Sequence, residues 1–323
     1  MNLKCFEKTA LTLCLCTLPL APAIAQDFPK GPVKVIVPFV AGGPTDAMAR
    51  LVGVKLQEMW GQPVVMEYKP GAGTVLGVDA VAKATPDGYT VGIVPAAFTI
   101  NPSLRKSMPY DTLKDISGVT QLVGTHLALV ATPKAPFNTV TELVAYAKRN
   151  PGKISFGSPG TGGTAPLAGE LLKRTAGFEM EHIPYKGSTQ AIADLMGGRI
   201  DLMFDALSSS LPFVKSGKFK LIATNSARRA PGNEQYPTVA ETYPGFEVTS
   251  LLGMIIPSAT PRPIVRRLQT DTARALNLPD VKKIIEDAGS EVVASTPEQF
   301  DLLIQNELKK WAKVIADAGI PRE

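Results

Sequence analysis

The sequence predicts an α/β protein of two lobes, and three observations carry that prediction. Short β-rich runs alternate with amphipathic runs along most of the chain, the order that builds parallel sheets with right-handed crossovers. The alternation stops before residue 127 and then starts again. The length, 323 residues, allows about two domains that each bury a core. With 45% hydrophobic and 20% charged residues the chain is not disordered in character, and 28 Gly with 28 Pro fall short of a low-complexity composition.

The first 25 residues read as a secretory signal peptide. Lys4 and Lys8 give a basic start, Thr9 to Ile24 is uncharged and mostly apolar, and Ala23-Ile24-Ala25 is a small-x-small cleavage site. The run is short for a membrane span and ends in that site, which argues against an anchor. Cys14 and Cys16 each follow a leucine, where a lipid-anchor site needs a small residue. Cleavage leaves 298 residues, Gln26 to Glu323, that hold no cysteine, because Cys5, Cys14 and Cys16 all lie in the leader. A disulfide, a thiol nucleophile and a thiolate metal site are thereby excluded. The remaining net charge, +4, is dispersed without a basic stripe, so nucleic acid is a poor partner. No second apolar run of about 18 residues follows, so the processed chain is expected to be soluble.

The elements follow in order. Val33–Pro38 reads as a buried strand, and Asp46–Trp60 as a helix with Met48, Ala49, Val52, Leu56 and Met59 at helical spacing. Pro63–Tyr68 is a strand, Pro70–Gly73 a turn, Val75–Ala84 a helix and Tyr89–Val94 a strand. After the restart, strands at Leu127–Ala131, Ile154–Gly157, Met180–Ile183, Asp201–Phe204 and Phe219–Thr224 alternate with helices at Thr139–Arg149, Thr164–Ala176 and Thr189–Met196. Thr139 with Glu142 makes a capping box. A Pro-rich stretch, a strand at Leu251–Ile256 and helices at Pro261–Leu276 and Pro297–Ala318 close the chain. These last helices are expected to return to the first lobe, which requires two crossings between lobes.

Two glycine-rich loops, one in each half, join a strand to a helix. The first is Pro38-Phe-Val-Ala-Gly-Gly-Pro-Thr-Asp46 and the second Phe156-Gly-Ser-Pro-Gly-Thr-Gly-Gly-Thr164. Helix N-termini carry unpaired N–H groups and a partial positive charge, and glycine lets backbone approach a ligand. Such loops suit a carboxylate or phosphate. Thr45 or Asp46 can instead cap the first helix. The second loop adds the hydroxyls of Ser158, Thr161 and Thr164. Gly160 to Ala165 also fits a dinucleotide fingerprint, but an exported chain, and a loop outside the first βαβ unit, argue against a nicotinamide cofactor. Loops facing one another across a cleft would clamp an anion between them.

Catalytic constellations are thin. His126 and His182 are the only histidines, each expected to be structural, and they form no metal-ligand cluster. No nucleophile elbow and no phosphate-binding P-loop occur. Asp46 and Asp205 form a possible carboxylate pair, equally suited to holding an amino group. No cofactor, no metal and no catalytic residue are assigned.

The chain resembles the periplasmic solute-binding proteins of tripartite tricarboxylate transporters, the TctC or Bug family. The stretches that carry the resemblance are Pro38–Arg50, Pro70–Gly73, Val81–Tyr89, His182–Gly187, Asp194–Gly198, Pro237–Glu241, Ile256–Pro261 and Trp311–Gly319. The resemblance implies a two-lobed periplasmic binding protein of type II-like, Venus-flytrap form, with two α/β domains joined by two crossover strands around a ligand cleft. It implies a first lobe of residues 26–127 plus 250–323 and a second of 128–249. Phe39, Ala41, Gly42, Gly43, Thr45 and Asp46 of the first loop, with Ser158, Gly160, Thr161, Gly162, Gly163 and Thr164 of the second, would hold a ligand carboxylate. Ala96–Asn101, with Phe98 and Thr99, would line the distal side, Phe39 and Phe98 packing on the ligand unless they are core aromatics. Asp205 would face the cleft. Pro166 and Gly163 depart from the family's His and hydroxyl residue. The expected protein is a periplasmic, monomeric carboxylate receptor for a membrane permease, not an enzyme. A ligand sensor for a two-component kinase and an exported hydrolase are the alternatives.

Overall fold

The computed structural model describes residues 28–159, 163–185, 187–317, 319, 320 and 322. The signal peptide, and Gly160, Thr161 and Gly162 of the second loop, lie outside the described residues.

In the first half, β1 (Val33–Val37), α1 (Pro44–Trp60), β2 (Val64–Tyr68), α2 (Val75–Ala82), β3 (Thr90–Pro95), α3 (Ala97–Leu104) and β4 (Ile116–Thr125) follow one another. The second half holds β5 (Leu127–Ala131), α4 (Val140–Arg149), β6 (Ser155–Pro159), α5 (Thr164–Ala176), β7 (Glu181–Tyr185), α6 (Ser188–Met196), β8 (Leu202–Ala206), α7 (Leu207–Lys215) and β9 (Lys220–Thr224). The chain ends with β10 (Ser250–Pro257), α8 (Arg262–Leu276), α9 (Pro279–Asp287), β11 (Ser290–Val292) and α10 (Pro297–Asp317).

Two sheets result. The first has the order β11-β4-β10-β3-β1-β2 and the second β7-β6-β8-β5-β9. Between these strands, parallel pairing is confined to β1 with β2 and β3, and to β6 with β7 and β8. β10 and β5 run antiparallel to their neighbours, so both sheets are mixed. The reason lies in the crossings. A strand that brings the chain into a lobe at its cleft edge must run opposite to the βαβ strands already there.

β4, α3, α7, α9 and β11 carry no clean period in the sequence. β4 is buried along most of its length on both faces, and its glycines and Thr120-Gln121 break any alternation. α8 packs on β4 and α1, and α9 on β11. α10 does more than return. Phe300 and Ile304 pack in a first-lobe core, while Trp311, Val314 and Ile315 join the core around Leu129, Phe156 and Phe204 of the second. One helix therefore ties both lobes together.

Candidate functional site

In each sheet one strand is the point where the chain reverses its direction of winding. β1 is flanked by β2 and β3, and β6 by β7 and β8. Successive connections leave such a strand on opposite faces and open a crevice at its C-terminal end, where open α/β sheets bind ligands. The two glycine-rich loops leave these two strands. The crossing at His126 joins the C-terminal end of β4 to the start of β5, and Leu127 pairs with Ala206 at the end of β8. The loop-bearing edges of both sheets thus meet at the crossing. Pro44 of α1 and Ala206, Ser208 and Ser209 of the second lobe line one apolar cavity of about 650 Å³. The seam between lobes is therefore not close-packed.

Both loops run into a helix whose N-cap is a glycine without a side chain to cap it, Gly43 for α1 and Gly163 for α5. Thr45 and Asp46 are not the cap; they occupy the second and third helical positions. The first-turn amides keep the unpaired character that suits an anion. Pro44 and Pro166 each remove one such donor, which leaves Thr45 and Asp46 in α1 and Thr164 and Ala165 in α5. Gly42 adopts φ +94°, a conformation that favours glycine and turns the first loop.

Asp46 braces that loop. Its Oδ2 accepts from the Gly42 N–H at 2.7 Å, and its Oδ1 accepts from Arg50 Nε at 3.0 Å and from the Tyr68 hydroxyl at 2.8 Å. Arg50 also donates to the Tyr68 oxygen. The carboxyl is held below its ordinary range, first by the Gly42 N–H and then by Tyr68 and Arg50, against its burial. Both oxygens are engaged within the protein, so the carboxylate is turned to its own loop rather than offered to a cationic ligand group. Ahead of it Phe39 and Val40 protrude, 37% and 69% exposed, and Ala41 and Gly42 are exposed as well.

The segment after β3 behaves differently from the expectation. Phe98 is fully buried among Val75, Val78 and Val94 and is a core aromatic, because α3 starts at Ala97 and turns the ring inward. Thr99 is also buried, its hydroxyl donating to the Ala96 carbonyl at 2.8 Å. Asn101 ends the segment expected to line the distal side. Its amide donates to the Gly73 carbonyl at 2.7 Å, and Arg105 donates to Ala72 O at 2.8 Å. Together they hold a turn in which Ala72 and Thr74 carry φ of +48° and +90°. Positive φ at residues with a Cβ is costly and persists where surroundings enforce it.

In the second lobe Ser158 is buried rather than exposed, its Oγ 2.7 Å from His182 Nε2. The His182 ring stacks on Phe156 at 4.7 Å, and burial lowers its proton affinity. The pair ties β6 to β7 and is the footing of the strand that leads into the loop. Thr164 is buried at the first turn of α5. Asp205 lies one residue before the end of β8 at 1% exposure. Its Oδ1 accepts from the Ser188 hydroxyl at 2.8 Å, whereas Oδ2 accepts no hydrogen bond of normal geometry. Burial pushes this carboxyl up to about 6, opposed by Ser188 and the Ala206 N–H. Among the described residues no group of three His, Cys, Asp or Glu is placed to hold a metal, and no helix is long and apolar enough to cross a membrane.

Two mixed α/β sheets, crossings at one shared edge and an uncapped helix N-terminus on each side define a two-lobed solute-binding protein. The chain belongs to the tripartite tricarboxylate transporter family receptor group, whose family model matches residues 48–320. Protein BugT of Bordetella pertussis is 34% identical over 302 residues, 93% of this chain and 93% of BugT. The solved periplasmic binding protein BugD is 34% identical, with a TM-score of 0.77 over 92% of this chain and 100% of that one. A solved R. palustris protein with adipate is 32% identical, with a TM-score of 0.80 over 92% of this chain and 100% of its own.

Proposed function

We propose that this protein is exported by cleavage after Ala25, captures an organic carboxylate between its lobes in the periplasm, and delivers it to membrane subunits of a tripartite tricarboxylate transporter. One observation carries the reading: the reversal strand of each sheet ends in a glycine-rich loop and a helix N-terminus capped by no side chain. Hydrogen bonds to a charged partner contribute about 1.5–3 kcal/mol each. Three or four of them give roughly 5–12 kcal/mol before the cost of association, so a micromolar affinity, about −8 kcal/mol, also needs burial of the ligand's apolar body.

Backbone amides fix where a carboxylate sits without fixing what it is attached to. The ligand is therefore a di- or tricarboxylate, an aromatic acid or an acidic amino acid. The adipate held by the R. palustris relative supports the dicarboxylate branch. Closure on the ligand is the signal the membrane subunits read, since a ligand that prefers the closed state shifts the population toward it. Asp46 is committed to bracing its own loop.

A thermal-shift screen against aliphatic, aromatic and amino-acid carboxylates tests the reading. A ligand that binds only the folded state raises the melting temperature by mass action. A rise with at least one carboxylate, and none with the matching amide, is expected. No shift with any of them would overturn it.

A further inference from the structure

One face of α1 packs in the first-lobe core through Ala49, Val52 and Leu56. An amphipathic helix turns a polar face outward, yet Ala47, Met48, Leu51 and Val54 recur at helical spacing on the other side of α1. They line the cavity of about 650 Å³ together with Ile284 and Ala288 of α9. Val54 and Ile284 are each 54% exposed. The protein itself leaves this apolar surface uncovered, and uncovered apolar concavities of roughly 300–1,000 Å³ are where small ligands bind.

The cavity adjoins the first anion loop. Pro44, which lines it, stands between Gly43 and Thr45 at the head of α1. It also spans the seam, with Ala206, Ser208 and Ser209 on the second-lobe wall. Among the described residues no Asp or Glu lines it, and its two cations are already engaged. Arg50 pairs with Asp46 at 3.0 Å, and Lys55 with Asp280 at 3.1 Å. A carboxylate placed against the α1 and α9 wall would lose its water and meet no unpaired charge. An apolar group there gains from the same loss of water.

Taking the loops as the carboxylate site of the proposed function, we propose that the ligand carries a single carboxylate on a large apolar body, the class to which the aromatic acids belong, and that this body fills the cavity between α1 and α9. Hydrogen bonds from the loops fall short of a micromolar affinity once the cost of association is counted. Burial of the body supplies the difference, and it is most complete when both lobes cover the ligand. Adipate, held by the R. palustris relative, would bring a second charge to the apolar wall of this chain.

Calorimetric titration of the mature protein with butyrate, hexanoate, octanoate and 4-phenylbutyrate tests this, beside suberate, the dicarboxylate with as many carbons as octanoate. Affinity is expected to rise about fourfold per added methylene, and octanoate to bind at least about tenfold more tightly than suberate. Val54→Trp and Ala288→Trp each place a ring in the cavity from opposite walls. Both positions are exposed, so the new ring does not enter the core, and thermal unfolding without ligand verifies each fold. Either variant flattens the series, so that octanoate binds no more tightly than butyrate. A flat series in the wild type, suberate binding as tightly as octanoate, or a slope that survives both tryptophans would overturn the proposal. Binding with a flat series overturns this assignment alone, whereas no binding by any acid overturns the carboxylate reading with it.

Discussion

The two glycine-rich loops, given the same job in the proposed function, stand on different foundations. The first rests on charge: Asp46 gathers the Gly42 N–H, Arg50 and Tyr68 around one carboxylate, with the loop tip at Phe39 and Val40 in solvent. The second rests on a neutral, buried pair, Ser158 and His182, stacked on Phe156 in the second-lobe core. In the proposed reading a helix N-terminus supplies the anion site in both. What differs is how the loop is held, and so how each lobe answers to pH and mutation.

The sharpest way to break the contrast is Asp46→Ala. It removes the acceptor for Gly42, and by analogy with cap losses it should cost about 1–2 kcal/mol of stability. Ligand affinity should fall by more than it does for any second-lobe footing change, because the loop's shape and its donors go together. Calorimetric titration beside thermal unfolding checks this. The pH sign follows from the lowered carboxyl. The stabilisation is present above the ordinary carboxylate pKa and is lost as pH falls through the depressed value in the fold.

Asp205→Asn has the opposite sign. Its carboxyl is raised to about 6, so the folded protein binds more protons than the unfolded chain between the ordinary carboxyl value and that point. Wild-type stability therefore declines as pH rises through this window and is flat above it. The asparagine variant should be more stable than wild type at pH 7, by up to about 2–3 kcal/mol, and equal to it near pH 4. Melting temperatures at the two pH values test this.

Gly289→Ala sharpens the comparison at the seam. Gly289 has φ +72°, and a Cβ there would meet the backbone of Ser208 across the lobes at 3.3 Å. Left-handed alanine costs about 1–2 kcal/mol. The radius of gyration in solution scattering should increase if the added methyl holds the lobes apart. The smallest effect is expected from His182→Phe, which keeps the stack on Phe156 and removes one bond to Ser158. The loss should be about 1 kcal/mol, with binding weakened only slightly, as thermal unfolding and titration would show.

Much of this was legible in the sequence, and the parts that were not share a cause. Leu127–Ala131 and Thr164–Ala176 were readable to the residue because apolar period and flanking turns agree there. β4 was not, since a strand buried on both faces has no alternation to read. The anion loops were visible as strand–glycine–helix junctions. Their footings were not, because Asp46 with Tyr68 and Ser158 with His182 are partners made by folding, 22 and 24 residues apart. Phe98 illustrates the limit. Its place after a strand suggests the cleft, and only the onset of α3 one residue earlier turns it into the core.

The central claim is that one carboxylate is shared by the two helix N-termini. Amide chemical shifts followed by NMR, during titration with the monocarboxylate that raises the melting temperature most and with its amide, test it most directly. The account predicts that the acid moves the amides of Gly43, Thr45, Gly163 and Thr164 together, with one dissociation constant, and that the amide does not. Shifts confined to one loop, or none at either while the acid binds elsewhere, would contradict it.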